Sequence, residues 1–490
     1  MAKNLKGWNL LCSYTKLDPK LFSFVTPHHC ENPRLQIFNN QLANELGFYT
    51  AGVSNHELAL VFSGNQVPGG AKPFAQAYAG HQFGHFTMLG DGRASILGEQ
   101  QTPGGEIFDI QFKGSGQTPY SRRGDGKATL YSMLREYLIS EAMHSLGIPT
   151  SRSLAVVATG EKVHRASIHD GAVLTRVASS HIRVGTFEYV ARFVPKALPQ
   201  FFDYTINRHY PELKTENEKE KSLLFFQKAM EAKIRLVVNW LRVGFIHGVM
   251  NTDNTTISGE TIDYGPCAFL NHYNPAQVYS SIDLQGRYAF GNQPSIAYWN
   301  LGCLASALLP LIDKNRTTAI EKATRVLEAF EPYFKEEWKK MMMGKFGFEE
   351  DKDGDNDLID RFVIWMKNNK ADYTNSFLAL EMDDEWCSHF EQYQTETFKQ
   401  FKSDWTARVN KNSGRIEHAR KLMQASNPSF IPRNHNVENA LVKASEKTNL
   451  QQFQELFKVL QNPYLRTNTP DRLQLPPIDG DAGYQTFCGT

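Results

Sequence analysis

His247-Gly-Val-Met-Asn-Thr-Asp253-Asn254 is followed, nine residues after Asn254, by Asp263-Tyr264-Gly265. A side-chain amide and a carboxylate thus stand a short loop apart, both oxygen donors of the kind that hard divalent cations take. A second carboxylate, Asp253, precedes the amide, and the position two after His247 is the apolar Val249.

These offsets are those of a kinase catalytic loop and metal-binding triplet. In H-R-D-L-x-x-x-N the third residue is the aspartate that receives the acceptor hydroxyl's proton, and the eighth is an asparagine that holds magnesium. Here the first position is His247, the eighth Asn254 and the third Val249. An isopropyl group accepts no proton, so the metal half is present while the usual base is missing from its usual place. The expectation is a protein that binds a metal nucleotide without ordinary phosphate transfer.

The remaining parts of a nucleotide site occur upstream in the right order. Ile107 to Lys113 alternates apolar and polar side chains, the period of a half-buried strand, and Gly114-Ser-Gly116 ends the run. Lys113 therefore sits at a strand end, as a phosphate-contacting lysine requires. Thr129 to Leu146 reads as a helix, with Leu130, Met133, Leu134, Tyr137, Leu138, Ala142 and Leu146 on helical spacings and Gly147 and Pro149 as the stop. Glu136 lies in it, 23 positions beyond Lys113, with Glu141 a competitor for the same lysine. Two glycine-bearing turns flank these elements, Leu89-Gly90-Asp91-Gly92-Arg93 and Arg122-Arg-Gly-Asp125-Gly126-Lys127. Asp-Gly between alternating runs is a hairpin signal, and arginine beside such a turn offers a phosphate site instead. Neither turn has the spacing of a Walker A loop. Ala172 to Ala178 reads as another strand carrying Arg176, with Arg183 in the segment after it.

Together these residues resemble the SelO (YdiU) family of kinase-fold protein adenylyltransferases. The motifs that carry the resemblance are Tyr78-Ala-Gly-His-Gln-Phe-Gly84, Leu89 to Arg93, Phe112-Lys-Gly-Ser-Gly116, Thr118-Pro-Tyr-Ser121, Arg135-Glu-Tyr-Leu-Ile-Ser-Glu-Ala142, His247 to Asn254, and Ile262-Asp-Tyr-Gly-Pro266. They run through most of the first 300 residues, and the last 150 or so match more loosely apart from the tail.

The resemblance implies an α+β, protein-kinase-like bilobal fold with a mixed N-lobe sheet, a mainly helical C-lobe and extensions at both termini. The division it implies is residues 1–75 as an N-terminal extension, 76–188 as the N-lobe, 189–380 as the C-lobe, and 381–490 as a helical extension with a redox tail. It further implies a nucleotide bound backwards, so that AMP passes from ATP to Ser, Thr or Tyr hydroxyls of target proteins and pyrophosphate leaves. UMP from UTP is a second possible group. Carried over by residue, Asp253 is the proton acceptor, and Asn254 and Asp263 hold Mg2+ or Mn2+. Lys113, held by Glu136, contacts the phosphates, and Gly90, Gly92, Arg93, Asp125, Gly126, Arg176, Arg183 and Asp263 line the nucleotide pocket. In animal members the corresponding tail position is selenocysteine, which implies redox chemistry there and a reversible disulfide between Cys488 and Cys267.

Two other readings stay open: an ordinary protein or small-molecule kinase with Asp253 as its base, and a nucleotide-binding, redox-sensing pseudokinase scaffold. Val249 speaks against the first, and the paired metal ligands against the second.

Composition narrows the partners. Lys+Arg of 53 against Asp+Glu of 52 leaves a net charge of +1, so no broad basic face for nucleic acid is expected. At 490 residues and 41% hydrophobic, the chain can bury more than one core. The N-terminus has no secretory pattern, and the apolar run Leu301 to Ile312 reads as a buried helix too short for a bilayer. The expectation is a cytoplasmic monomer with no membrane partner. The six cysteines show no zinc spacing. Glu349 to Asp360 imitates a calcium loop but fails its register at the first, eighth and twelfth positions. Helices are expected over 222–243, 319–334, 360–368 and 396–409, with an all-helical remainder from Trp299.

Overall fold

The computed structural model describes residues 5–215, 217–410, 416–447, 449–478 and 480–487. Its first part is built on strands β1 (Leu10–Leu11), β2 (Phe22–Phe24) and β3 (Arg34–Phe38), then helices α1 (Asn40–Glu45) and α2 (Asn55–Phe62). There follow β4 (Phe74–Gln76), β5 (Ala79–Gln82), β6 (His85–Met88), β7 (Ala94–Gln101), β8 (Ile107–Lys113), α3 (Leu130–Ser145), β9 (Arg152–His164) and β10 (Ile168–Ala178). Eight of these strands form one sheet in the order β2-β4-β7-β8-β10-β9-β3, with β1 also on β7.

Every ladder of this sheet is antiparallel, which corrects the expected mixed sheet. The short connections between β7 and β8 and between β9 and β10 leave no room for the crossover that a parallel pair needs. Neither Asp-Gly turn closes a hairpin. Residues 89–93 lead from β6, which pairs with β5, into β7 of the main sheet, and 114–129 leads from β8 into α3.

Strand β8 matches its sequence pattern. Ile110 and Phe112 pack with Leu58, Val61 and Phe62 of α2 in one buried cluster, while Asp109, Gln111 and Lys113 take the alternate face. On that face lies α3, capped by Thr129, whose hydroxyl accepts from Ser132 N at 3.2 Å.

The second part is helical: α4 (Val184–Phe193), α5 (Leu198–His209), α6 (Glu218–Val243), then, after two short strands, α7 (Gln293–Ile312) through α16 (Gln451–Leu460). Helix α6 starts at the cap Asn217 and stops at Gly244, whose φ of 74° is the left-handed C-terminal conformation glycine adopts without strain. The two short strands, β11 (Phe245–Ile246) and β12 (Ala268–Phe269), pair antiparallel. They tie together the ends of the loop segment 247–267 that carries the catalytic-loop and metal motifs.

Two helix expectations change. The pattern over 319–334 is two helices, α8 (Arg316–Glu328) and α9 (Phe330–Phe346), because Pro332 has no N–H for the carbonyl of Glu328 and is tolerated only in a first turn. The run from Phe290 to Ile312 has the length and apolarity of a bilayer span, contrary to the expectation from residues 301–312, yet half of its most apolar window is buried inside the protein. The acidic stretch 349–360 opens α10 (Asp355–Asn368), where Asp355 is held by Arg408 at 2.6 and 2.7 Å.

Between α11 (Tyr373–Glu381), α15 (Asn434–Glu446) and the loop after β12 lies a buried ion pair. Arg433 donates to Asp372 at 2.7 and 3.1 Å and also bonds Asn271, with both charged side chains about 1% exposed. Removing one partner strands a buried charge. Arg433→Ala is expected to lower unfolding stability by about 3–5 kcal/mol, and Arg433→Met with Asp372→Asn to recover much of that. Urea denaturation of the three proteins measures it.

Candidate functional site

Strand β8, helix α3, strand β10 and the loop after β11 converge on four charged side chains. Lys113 Nζ donates to Glu136 Oε2 at 2.8 Å and to Asp263 Oδ1 at 2.6 Å. Arg176 bonds the other Glu136 oxygen and reaches Asp263 Oδ1 at 3.1 Å. The expected Lys113–Glu136 pair is therefore present, and the competitor Glu141 is instead taken by Arg152, at 2.8 and 2.9 Å, and by Asn39. Arg176 points inward because two carboxylates oppose it. Burial by itself would raise the Asp263 carboxyl, but Lys113 and Arg176 outweigh it and hold the group well below the usual carboxylate range.

A cleft of about 940 Å³ opens over this cluster. Its wall includes Gly90, Gly92, Arg93, Lys113, Asp125, Gly126, Arg176, Arg183, Asp253, Asn254 and Asp263, so the whole set of sequence-predicted nucleotide and metal residues shares one cavity. Glu136 stands behind them, 2% exposed. Arg183 is fixed by His181 O at 2.9 Å and Gln76 at 3.3 Å, with its guanidinium 4.2 Å from the Tyr78 ring centre. Asp125, by contrast, is an exposed residue paired with Arg165 at 2.8 and 3.0 Å.

The glycines of the 89–93 turn serve packing as much as ligand approach. A Cβ at Gly90 would fall 2.4 Å from the Tyr120 ring, because Thr118 bonds Asp91 O at 2.6 Å and Ser121 bonds Gly92 O, folding one motif onto the other.

Asp253 lies in a short 3-10 turn, Thr252–Asn254. Its Oδ1 is buried and has no hydrogen-bond partner. Burial pushes the carboxyl up to about 7, partly offset by backbone hydrogen bonding and the Arg183 charge. Val249, in the usual base position, is 7% exposed. The amide of Asn254 is oriented by donation from Nδ2 to Val249 O at 3.2 Å, which leaves its oxygen free to face a cation. Asp263 presents one-third of its side chain to solvent, while Oδ1 is engaged by Lys113 and Arg176. One neutral and one anionic oxygen donor fit Mg2+ or Mn2+ supplemented by phosphate and water.

Sequence inspection missed the residues that hold this loop. The Tyr78–Gly84 motif is the β5–β6 hairpin, turning at Phe83 and Gly84 with φ of 50° and 88°, and it docks on the loop through its backbone. His81 N donates to Thr252 Oγ1 at 2.7 Å and Phe83 N to Asn251 Oδ1 at 3.1 Å. A Cβ at Gly80 would fall 2.2 Å from Asp253 Oδ1, and one at Gly185 only 1.9 Å from Ala79 O. Arg122 and Arg123, read only as an arginine-bearing turn, and Arg165, which carried no signal, also line the cleft.

Cys267 is fully buried, and burial pushes its thiol up to about 11. Cys488 lies outside the described residues. The tail before it is anchored nearby, since Thr486 Oγ1 donates to Pro266 O at 2.7 Å, and Phe487 borders the cleft.

The family model described as "Protein adenylyltransferase SelO" matches residues 8–461. A protein of Nitrosococcus oceani named "Protein nucleotidyltransferase YdiU" is 50% identical over 488 residues, 99% of this chain and 98% of the relative. Relatives of the same name from Brevibacillus brevis and Alcanivorax borkumensis are each 49% identical over 485 residues, covering 99% of this chain and 98% and 99% of their own.

Gly80→Ala is expected to leave the fold intact and to cut nucleotidyl transfer about 100-fold, the loss that a displacement of about 1 Å at a reacting group produces. Steady-state kcat on an acceptor protein, with circular dichroism as the control, measures it.

Proposed function

This chain belongs to the SelO family and is a nucleotidyltransferase acting with a nucleoside triphosphate on protein targets, and from that premise we propose that it moves AMP from ATP to Ser, Thr or Tyr hydroxyls. The oxygen of the acceptor attacks the α-phosphorus, its proton passes to Asp253, and pyrophosphate leaves. UMP transfer from UTP is the same reaction with another base.

The observation that carries this reading is the unpartnered Asp253 oxygen, in one cleft with the Lys113–Glu136–Arg176–Asp263 cluster, while Val249 stands where a kinase base would be. Burial that lifts the carboxyl towards neutrality suits a proton acceptor. In this proposal Asn254 and Asp263 hold Mg2+ or Mn2+, which neutralises phosphate charge when bound. Lys113, Arg93, Arg176 and Arg183 steady the triphosphate and the departing pyrophosphate. Gly90, Gly92, Asp125 and Gly126 shape the pocket. The division proposed is a kinase-like N-lobe over 76–188 and C-lobe over 189–380, with 1–75 and 381–490 as extensions. Its support is the sheet preceding a helical region, with the cleft drawing residues from both.

A regulatory disulfide between Cys267 and Cys488 belongs to the same proposal, favoured by the Thr486–Pro266 contact beside Cys267. The buried thiol would have to become accessible first, so the bond is expected to form slowly.

Four outcomes are expected. With a protein mixture, ATP labelled at the α-phosphate labels acceptors and ATP labelled at the γ-phosphate does not; label from γ alone makes the protein a kinase. Asp253→Asn lowers transfer by about 10²–10⁴-fold with nucleotide binding retained, and chelation of divalent ions abolishes transfer until Mg2+ or Mn2+ is restored. Alkylation mapping finds Cys267 and Cys488 protected in oxidant and reactive after reduction; both remaining reactive in oxidant removes the disulfide.

A further inference from the structure

Beneath the Asp253 loop, β5, α4 and α7 bring together His81, Glu188 and Cys303, three side chains to which the nucleotide chemistry above gives no role. One ligand atom from each, the imidazole nitrogen, a carboxylate oxygen and the thiol sulfur, lies within 4.8 Å of the other two. His81 Nδ1 and Glu188 Oε1 approach to 2.6 Å. The Glu188 carboxylate is the hub of the group, hydrogen-bonded by Thr252, His81 and Cys303. Glu188 is only 7% exposed. A carboxylate that already gathers an imidazole and a thiol needs only their protons displaced for all three groups to face one ion.

We propose that His81, Glu188 and Cys303 form a second metal site, for a borderline-soft divalent cation of the zinc class, distinct from the one at Asn254 and Asp263. Imidazole, carboxylate and thiolate are the ligands such an ion takes, and three of them leave a fourth position for water. Mg2+ and Ca2+ are unsuited, since they take oxygen donors. A neutral imidazole with two anionic ligands balances the dication, and on binding the Cys303 thiol proton and any proton on Nδ1 pass to solvent. Loading would part His81 from Glu188 to roughly 3.3 Å, the edge of a tetrahedron with bonds of about 2.0–2.1 Å.

The surroundings suit the role. Trp299 and Phe86 set their rings against His81 at 5.1 and 5.3 Å, edge-on at 87° and 74°. The His81 side chain retains 23% exposure and Cys303 is half-buried, so an ion has a route in. His81 N holds Thr252, the residue before Asp253, at 2.7 Å. An ion here would therefore fasten the sheet hairpin and two helices beneath the loop, and metal supply would bear on how rigidly Asp253 is held.

The probe is Co2+ added to the full-length apoprotein in saturating Mg2+ and followed by absorption. The oxygen donors at Asn254 and Asp263 give no thiolate-to-cobalt charge-transfer band, so that band reports Cys303. Expected are a band saturating at one Co2+ per chain, its bleaching by Zn2+, its absence in Cys303→Ser, and Co2+ affinity at least about tenfold weaker in His81→Gln, the loss that even outer-shell partners cause. In the wild-type chain, Zn2+ should also shield Cys303 from alkylation mapped by mass spectrometry, a readout that needs no variant to fold. No band in the wild type, a band that persists in Cys303→Ser, or alkylation of Cys303 that Zn2+ does not slow would each overturn the site.

Discussion

Two cations and two carboxylates, Lys113, Arg176, Glu136 and Asp263, neutralise one another at the meeting point of sheet, helix and loop. Each taken singly would cost several kcal/mol to bury, and removing one leaves its partner charged and unpaired. The four positions are therefore bound into one unit although Lys113 and Asp263 are 150 residues apart. This unit joins β8, α3, β10 and the loop after β11 through side chains alone. The backbone at Asp263 has a φ of 64°, the left-handed conformation that aspartate tolerates better than most non-glycine residues.

Because the cluster is neutral within itself, the positive field for a triphosphate comes in good part from residues around it. Arg93, Arg122 and Arg123 lie on the cleft wall, supplied by the two turns that the sequence marks with Asp-Gly, while Lys127 beside them pairs with Glu161. Folding of Thr118–Ser121 onto residues 90–92 brings the two turns together. Asp125 has its charge met by Arg165, so it shapes the wall with little net repulsion toward an anion.

The lower wall is held by backbone. The β5–β6 hairpin clips the catalytic loop through Thr252 and Asn251, and Gly80 and Gly185 permit an approach no side chain would allow. On the other side, Asp481 in the tail accepts from Asn271 at 2.8 Å, Tyr279 at 2.5 Å and Asn434 at 3.1 Å, tying the C-terminal segment to the stretch after β12.

Much of this was legible in the chain itself. Period-two alternation marked β8 with its boundaries, helical spacing with a stop at Gly147 and Pro149 marked α3, and the spacing of His247, Asn254 and Asp263 marked the loop, because local periodicity and helix stops are properties of neighbouring residues. The choice of Glu136 over Glu141 was different in kind. Both lie on α3 and are buried, and only the packing of α3 on the sheet turns one toward Lys113 and the other toward Arg152. The antiparallel sheet, the inward turn of Arg176, the space that Gly80 leaves for Asp253, and the gathering of His81, Glu188 and Cys303 likewise rest on contacts between residues remote in sequence. Such contacts follow from how elements pack and where buried charge finds its partner, so the three-dimensional fold alone decided them.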